Sequence, residues 1–178
     1  SALFGYGSFD GNSVNNSSLA LYYFALGLPA FALIKVFSSF FFANHNTKIP
    51  FYISLMSVIL NILISIYYFK DVGFIIIPIA TTISSWFNSM ILFIFLKKEK
   101  LFMFNKTFMI KILKIIFASI LMGLFFNYLI LFFENQLSYN YQFKSFYLIL
   151  SVLLGFVFYL LVSFLIKAFN YKDVQLKY

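Results

Sequence analysis

The sequence predicts an all-α integral membrane protein with five transmembrane helices. Three observations carry that reading. Of 178 residues, 63% are hydrophobic and 10% are charged, where a soluble domain has about 25% charged residues. Five apolar runs, at 19–42, 50–69, 74–96, 108–133 and 143–166, each reach the roughly 20 residues that a spanning helix needs. The charges collect between these runs or toward their ends, where Lys111 and Lys114 are expected to snorkel, and Lys35 alone interrupts the first run.

The first run contains Gly27 and Pro29, which make its helix bendable, and then Lys35. The second opens on Pro50, which suits a first helical turn because its missing N–H has no partner there in any case. The third carries Pro78 near its start and is tolerated in the same way. The fourth and fifth are dominated by Phe, Leu and Ile and read as peripheral helices with a wide lipid-facing surface. The links ANHNTKI, KDV, KKEKLFMFNKT and ENQLSYNYQ are short, so sequential neighbours run antiparallel. The organisation expected is an extracytoplasmic segment at 1–18, three helices over 19–97, a cytoplasmic loop at 98–107, two further helices over 108–166 and a cytoplasmic tail at 167–178. The chain opens on Ser1 in a polar stretch, shows no signal peptide and reads as a fragment of a longer polytopic protein.

All basic residues are lysine, and the net charge is +8. In a soluble protein such an excess suggests nucleic acid. Here it follows topology. With alternating crossings, one face holds Lys70 and Lys144, while the other holds His45, Lys48, Lys97, Lys98, Lys100, Lys106, Lys111, Lys114, Lys167, Lys172 and Lys177. The positive-inside rule makes the second face cytoplasmic, with the N-terminal segment outside and the C-terminus inside.

Polar residues inside the spans form stripes. Ser54, Ser57, Asn61, Ser65 and Tyr68 recur at steps of three and four, and Thr81, Ser84, Ser85 and Asn88 share one face of the third helix. Gly27, Phe31, Lys35, Ser38 and Ser39 share a side of the first. Each stripe has two readings: helix packing through small and hydroxylated residues, or the lining of a polar cavity. Trp86 lies mid-span and reads as a packing residue. A lysine deep in a span costs about 2.5–3.5 kcal/mol on insertion scales. Lys35 lies seven residues before Phe42, about 10 Å at 1.5 Å per residue. It either snorkels or pairs structurally, or serves an aqueous anion-binding cavity. No acidic residue lies within a span to pair with it.

Enzymatic readings fare poorly. Zero cysteines exclude disulfides and thiolate metal sites. One histidine and no clustered acids give no metal site, no cofactor motif is present, and no nucleophile–base–acid set exists.

The segment at 25–50, ALGLPAFALIKVFSSFFFANHNTKIP, resembles the MurJ/MviN family of peptidoglycan lipid II flippases. The match takes in Gly27, Leu28, Pro29, Ala30, Lys35, Val36, Phe42, Ala43, Thr47, Lys48 and Pro50, then Asn61, then Gly73, Ala80, Thr81, Trp86 and Asn88. Upstream, LFGYGSFD looks like the short element that precedes this helix in the family. Beyond residue 97 the resemblance is one of topology. It implies a two-lobe transporter of the multidrug/oligosaccharidyl-lipid/polysaccharide exporter type, of which this chain supplies about the last five of fourteen spans. The first three then belong to the C-terminal lobe and the last two are accessory helices.

The implied function is transport in the bacterial cytoplasmic (inner) membrane. Lipid II, an undecaprenyl-pyrophosphoryl disaccharide-pentapeptide used in cell-wall synthesis, crosses by alternating access. The implied substrate-cavity residues are Lys35, Ser39, Asn61 and Asn88, with Gly27 and Pro29 as a hinge. The partners are lipid II, membrane lipids and the N-terminal lobe of the same chain, without nucleic acid. Asn44 and Asn46 stand where the family often has Arg and Asp, and Tyr6 where it usually has Arg, so this loop and rim carry less charge. The family's main cavity arginines lie outside this segment, which is expected not to transport alone. A related exporter of polysaccharide-linked lipids or drugs, and a non-transporting membrane subunit, are the alternatives.

Overall fold

The computed structural model describes residues 11–101, 106–138 and 141–168. They belong to two compact units, one within Asp10–Met103 and the other within Phe104–Tyr178. The first holds α1 (Gly11–Ala43), α2 (Lys48–Val72), a 3-10 turn (Gly73–Ile75) and α3 (Ile76–Lys98). The second holds α4 (Lys106–Phe132) and α5 (Lys144–Leu165). The fold class is the one the composition predicts: all helical and built for a bilayer.

Four helical runs are long and apolar enough to cross a membrane, where the sequence predicts five spans. The difference lies in the run Lys48–Lys98, whose 51 residues include both α2 and α3. It folds back on itself. Asn61 meets Thr81 and Ser84, and Asn88 meets Ser54, a pairing in which one index rises as the other falls. Gly73 makes the reversal, with φ 70° and ψ −152°, a backbone region that is essentially closed to residues with a Cβ.

α1 begins at Gly11, ahead of the apolar run that starts at residue 19. The polar stretch GNSVNNSS carries no apolar periodicity, so a hydropathy reading stops short of it. It contains no proline, and the helix extends through it, with Ser18 donating its hydroxyl to the Asn15 carbonyl at 2.8 Å. The 33 residues of α1 span about 50 Å at 1.5 Å per residue, well beyond a hydrocarbon core of about 30 Å.

Within the first unit α3 is central. It packs along α1 in parallel, as the pairs Tyr23–Thr82, Leu26–Trp86 and Phe37–Phe93 show, and along α2 in antiparallel fashion. α1 and α2 touch each other little. The apolar core, Phe41, Ile53, Leu92 and Leu96 with Phe37 and Phe40 around it, gathers at the end where α1 and α3 terminate. At the start of α2 the Asn46 side chain accepts the Ile49 N–H at 3.3 Å, and Pro50 is buried in the first turn.

In the second unit α4 and α5 form an antiparallel pair. Phe125 stacks on Phe158 with centroids 4.2 Å apart, Phe126 lies against Gly155, and Phe133 meets Tyr147. At the opposite end of the pair the Lys114 ammonium donates to the Lys167 carbonyl at 3.5 Å, just past the end of α5.

Three helices of odd number end alike. His45, Lys100 and Lys167 adopt φ of 55°, 54° and 51°. Each lies two residues past the end of its helix. The N–H of the next residue, Asn46, Leu101 or Ala168, reaches back to the carbonyl of Phe41, Leu96 or Ser163 respectively, the Schellman closure usually made by glycine.

Candidate functional site

Because α1 and α2 diverge while both lean on α3, a groove of about 400 Å³ opens between them. Phe31 and Ile34 of α1 form one wall, and Ser54, Ser57, Val58 and Asn61 of α2 the other. Thr81, Ser84, Ser85 and Asn88 of α3 make the floor. Ser54, Ser57 and Asn61 of the α2 stripe therefore face the same space as the α3 stripe, while Ser65 and Tyr68, further along α2, are not part of its lining. The sequence periodicity anticipates this convergence, because residues at steps of three and four must share a face.

Most of the hydroxyls are satisfied locally. Ser57 donates to the Ile53 carbonyl, Thr81 to that of Ile77, and Ser84 and Ser85 both to that of Thr81. Their lone pairs stay available for other helices. Asn61 uses them, its amide donating to Thr81 Oγ1 at 3.1 Å and to Ser84 Oγ at 3.3 Å. Asn88 is 6% exposed. Its amide donates to Ser54 Oγ at 3.5 Å, and its Oδ1 is buried with no partner among the described residues. A buried amide oxygen left without a donor costs about 1–3 kcal/mol, so the groove floor presents an acceptor ready for one.

A second groove, of about 620 Å³, continues toward the α1–α2 link and is lined by Ser38, Phe42, Thr47, Lys48, Pro50, Phe51, Tyr52 and Ser54. Ser54 borders both spaces. On α1, Phe31 lines the first groove and Ser38 and Phe42 line the second. Lys35 lies on the same helical stripe between them, four residues after Phe31 and three before Ser38. It is exposed and makes no hydrogen bond or ion pair among the described residues. Ser39 is exposed and donates its hydroxyl to the Val36 carbonyl at 2.6 Å; its neighbour Ser38 is the one that faces a groove. Lys48 brings an ammonium to the second groove, whereas Lys35 is not among the residues that line either one.

Gly27 is buried against α3. A Cβ there would lie 3.0 Å from Thr82 Oγ1 and 3.5 Å from Thr82 Cα, so the missing side chain lets two helices approach closely. Pro29 lies inside α1, which continues through it. Around this turn α3 contributes two donors: Thr82 Oγ1 to the Tyr23 carbonyl at 2.6 Å, and Trp86 Nε1 to the Leu26 carbonyl at 3.1 Å. The sequence reading gives Trp86 a packing role and does not single out Thr82. One signal was available, since a tryptophan away from the membrane interface needs a partner for its N–H.

At the link between α4 and α5, Tyr141 lies edge-on to Tyr147. The charge and hydrogen bond of Tyr147, with some desolvation, raise the Tyr141 phenol above its ordinary value. No three His, Cys, Asp or Glu side chains gather into a metal-binding group among the described residues.

Apolar helices of spanning length, three of which border a recessed polar groove, define a multi-pass helical membrane protein. The sequence profile of the lipid II flippase MurJ family matches residues 1–148. The chain belongs to that family. A probable lipid II flippase MurJ of Rickettsia prowazekii is 29% identical over 174 residues, covering 94% of this chain and 33% of that protein. One of Thermotoga maritima is 30% identical over 174 residues, covering 98% and 33%. One of Buchnera aphidicola from Acyrthosiphon pisum is 33% identical over 123 residues, covering 67% and 24%. The chain thus spans about a third or less of the length of these relatives.

Proposed function

We propose that the chain supplies the C-terminal five membrane helices of a lipid II flippase, a transporter and not an enzyme, in a bacterial cytoplasmic membrane. Residues 19–97 act as three helices of the C-terminal lobe and 108–166 as the accessory pair. The rest of the lobe architecture comes from chain beyond this segment. The lysine-rich helix ends and the C-terminus face the cytoplasm, as the positive-inside rule favours.

The observation that carries the reading is the exposed ammonium of Lys35, which has no hydrogen-bond or ion-pair partner among the described residues, on the stripe between two grooves. A pyrophosphate moving through a low-dielectric passage needs compensating positive charge, and Lys35 supplies part of it. Asn61, Asn88 and the serines beside them offer hydrogen bonds to the polar head group; Ser39 stands one residue from this lining. Pro29 is the bendable point of α1, and Gly27 keeps the adjoining turn close to α3. The polyprenyl tail stays in lipid.

The test is Lys35→Ala in the full-length protein, expressed in a strain depleted of its own flippase. Lipid II accumulating in the inner leaflet at unchanged protein level supports the role. Full complementation overturns it.

A further inference from the structure

We propose that Thr82 and Trp86 are positioning residues, which clamp the proline turn of α1 and so set the direction of the half-helix that carries Lys35. The inference rests on the role proposed for Lys35.

Proline at position 29 has no N–H for the Ala25 carbonyl, and its ring crowds the preceding turn. Inside a membrane such a turn persists where neighbouring helices satisfy the loosened backbone groups. Here α3 donates, from two successive turns, to the carbonyls that flank the freed one. The Thr82 hydroxyl reaches the Tyr23 carbonyl at 2.6 Å and the Trp86 indole reaches the Leu26 carbonyl at 3.1 Å, on either side of Ala25. Both donors come from one face of α3, four residues apart, as Tyr23 and Leu26 are three apart on α1. Gly27 permits the approach, its absent Cβ leaving room for Thr82.

The clamp lies on the side of Pro29 away from Lys35. The N-terminal part of the turn is therefore fixed to α3, and the direction of the remainder is read out from that anchor. Six residues after Pro29, about 9 Å along the axis, a change in bend direction swings Lys35 away from the stripe shared with Phe31 and Ser38. Neither clamp residue is in the lining of the two grooves described above, so their effect on transport passes through α1.

Spin labels at Leu21 and Phe42 test this in the full-length protein. Both positions are exposed, at 68% and 51%, and lie on either side of Pro29, about 30 Å apart at 1.5 Å per residue. Thr82→Val with Trp86→Phe removes both donors at nearly constant shape. The expected result is a distance distribution at least twice as wide and flipping reduced at least tenfold. Thr82→Ser, which keeps the hydroxyl, behaves as wild type. On a Lys35→Ala background the double substitution causes no further loss of flipping. An unchanged distribution overturns the clamp whatever flipping does, and a widened one with intact flipping overturns the positioning role. If Lys35→Ala alone flips normally, the functional reading fails, while the distance widths still report on the clamp.

Discussion

The Asn61 amide on α2 and the Thr81 hydroxyl on α3 meet at 3.1 Å across the hairpin, with Ser84 sharing the same amide at 3.3 Å. Each hydroxyl retains a carbonyl acceptor of its own, at Ile77 and Thr81 respectively. Hydrogen bonds between membrane helices contribute about 0.6 kcal/mol each on average, and up to about 1.7. Asn61→Leu should therefore lower stability by about 1–2 kcal/mol and leave the helices intact. Unfolding of the purified full-length protein in detergent, followed by circular dichroism, measures the change.

Gly27 and Gly123 form a matched pair for substitution by alanine. At Gly27 the new methyl meets Thr82, while at Gly123 it meets nothing within 4 Å. Gly27→Ala should cost about 1–3 kcal/mol, as other overpacked contacts do. Gly123→Ala should be neutral, or stabilise by up to about 1 kcal/mol through helix propensity. Equal melting temperatures for the two variants would contradict the close approach of α1 to α3.

Gly73 is a different case, because space is open around it and its backbone is not. Gly73→Ala forces a Cβ into a conformation suited to glycine, at a cost of about 1–3 kcal/mol. Thermal stability should drop by that amount, and a variant as stable as the wild type would show that the α2–α3 reversal tolerates another geometry.

These 178 residues contain no cysteine, so in a background whose remaining chain is also cysteine-free a single introduced thiol reports topology directly. Ser138 and Asn44 are both exposed, at links on opposite sides of the predicted membrane. Ser138→Cys should react with an impermeant thiol reagent in intact cells. Asn44→Cys should react only after lysis. The reverse pattern would invert the proposed orientation.

Much of this fold is legible in the sequence for a simple reason: bilayer thickness sets helix length, and backbone periodicity sets which residues share a face. The stripes of α2 and α3 were readable because serine and asparagine stand out against Leu and Ile. The onset of α1 at Gly11 was not, since a polar helical stretch leaves no apolar signature. The choice between Ser38 and Ser39 turns on about 100° of helix rotation, which neighbouring stripes do not resolve. The donors of Thr82 and Trp86 were hidden by their acceptors. A backbone carbonyl has no letter in the sequence, and only the proline hints that one needs help.

The left-handed ends of α1, α3 and α5 join two kinds of information in single residues. Holding a lysine or histidine at positive φ costs on the order of 1 kcal/mol relative to glycine, yet His45, Lys100 and Lys167 all occupy such sites. Their side chains lie beside the negative ends of three helix dipoles. Under the proposed orientation Lys100 and Lys167 also belong to the positive charge that marks the cytoplasmic face. A glycine at either position would relax the backbone and at the same time weaken that topology signal. On that reading, where α3 and α5 stop and which way they point are encoded together, and neither is free to drift alone.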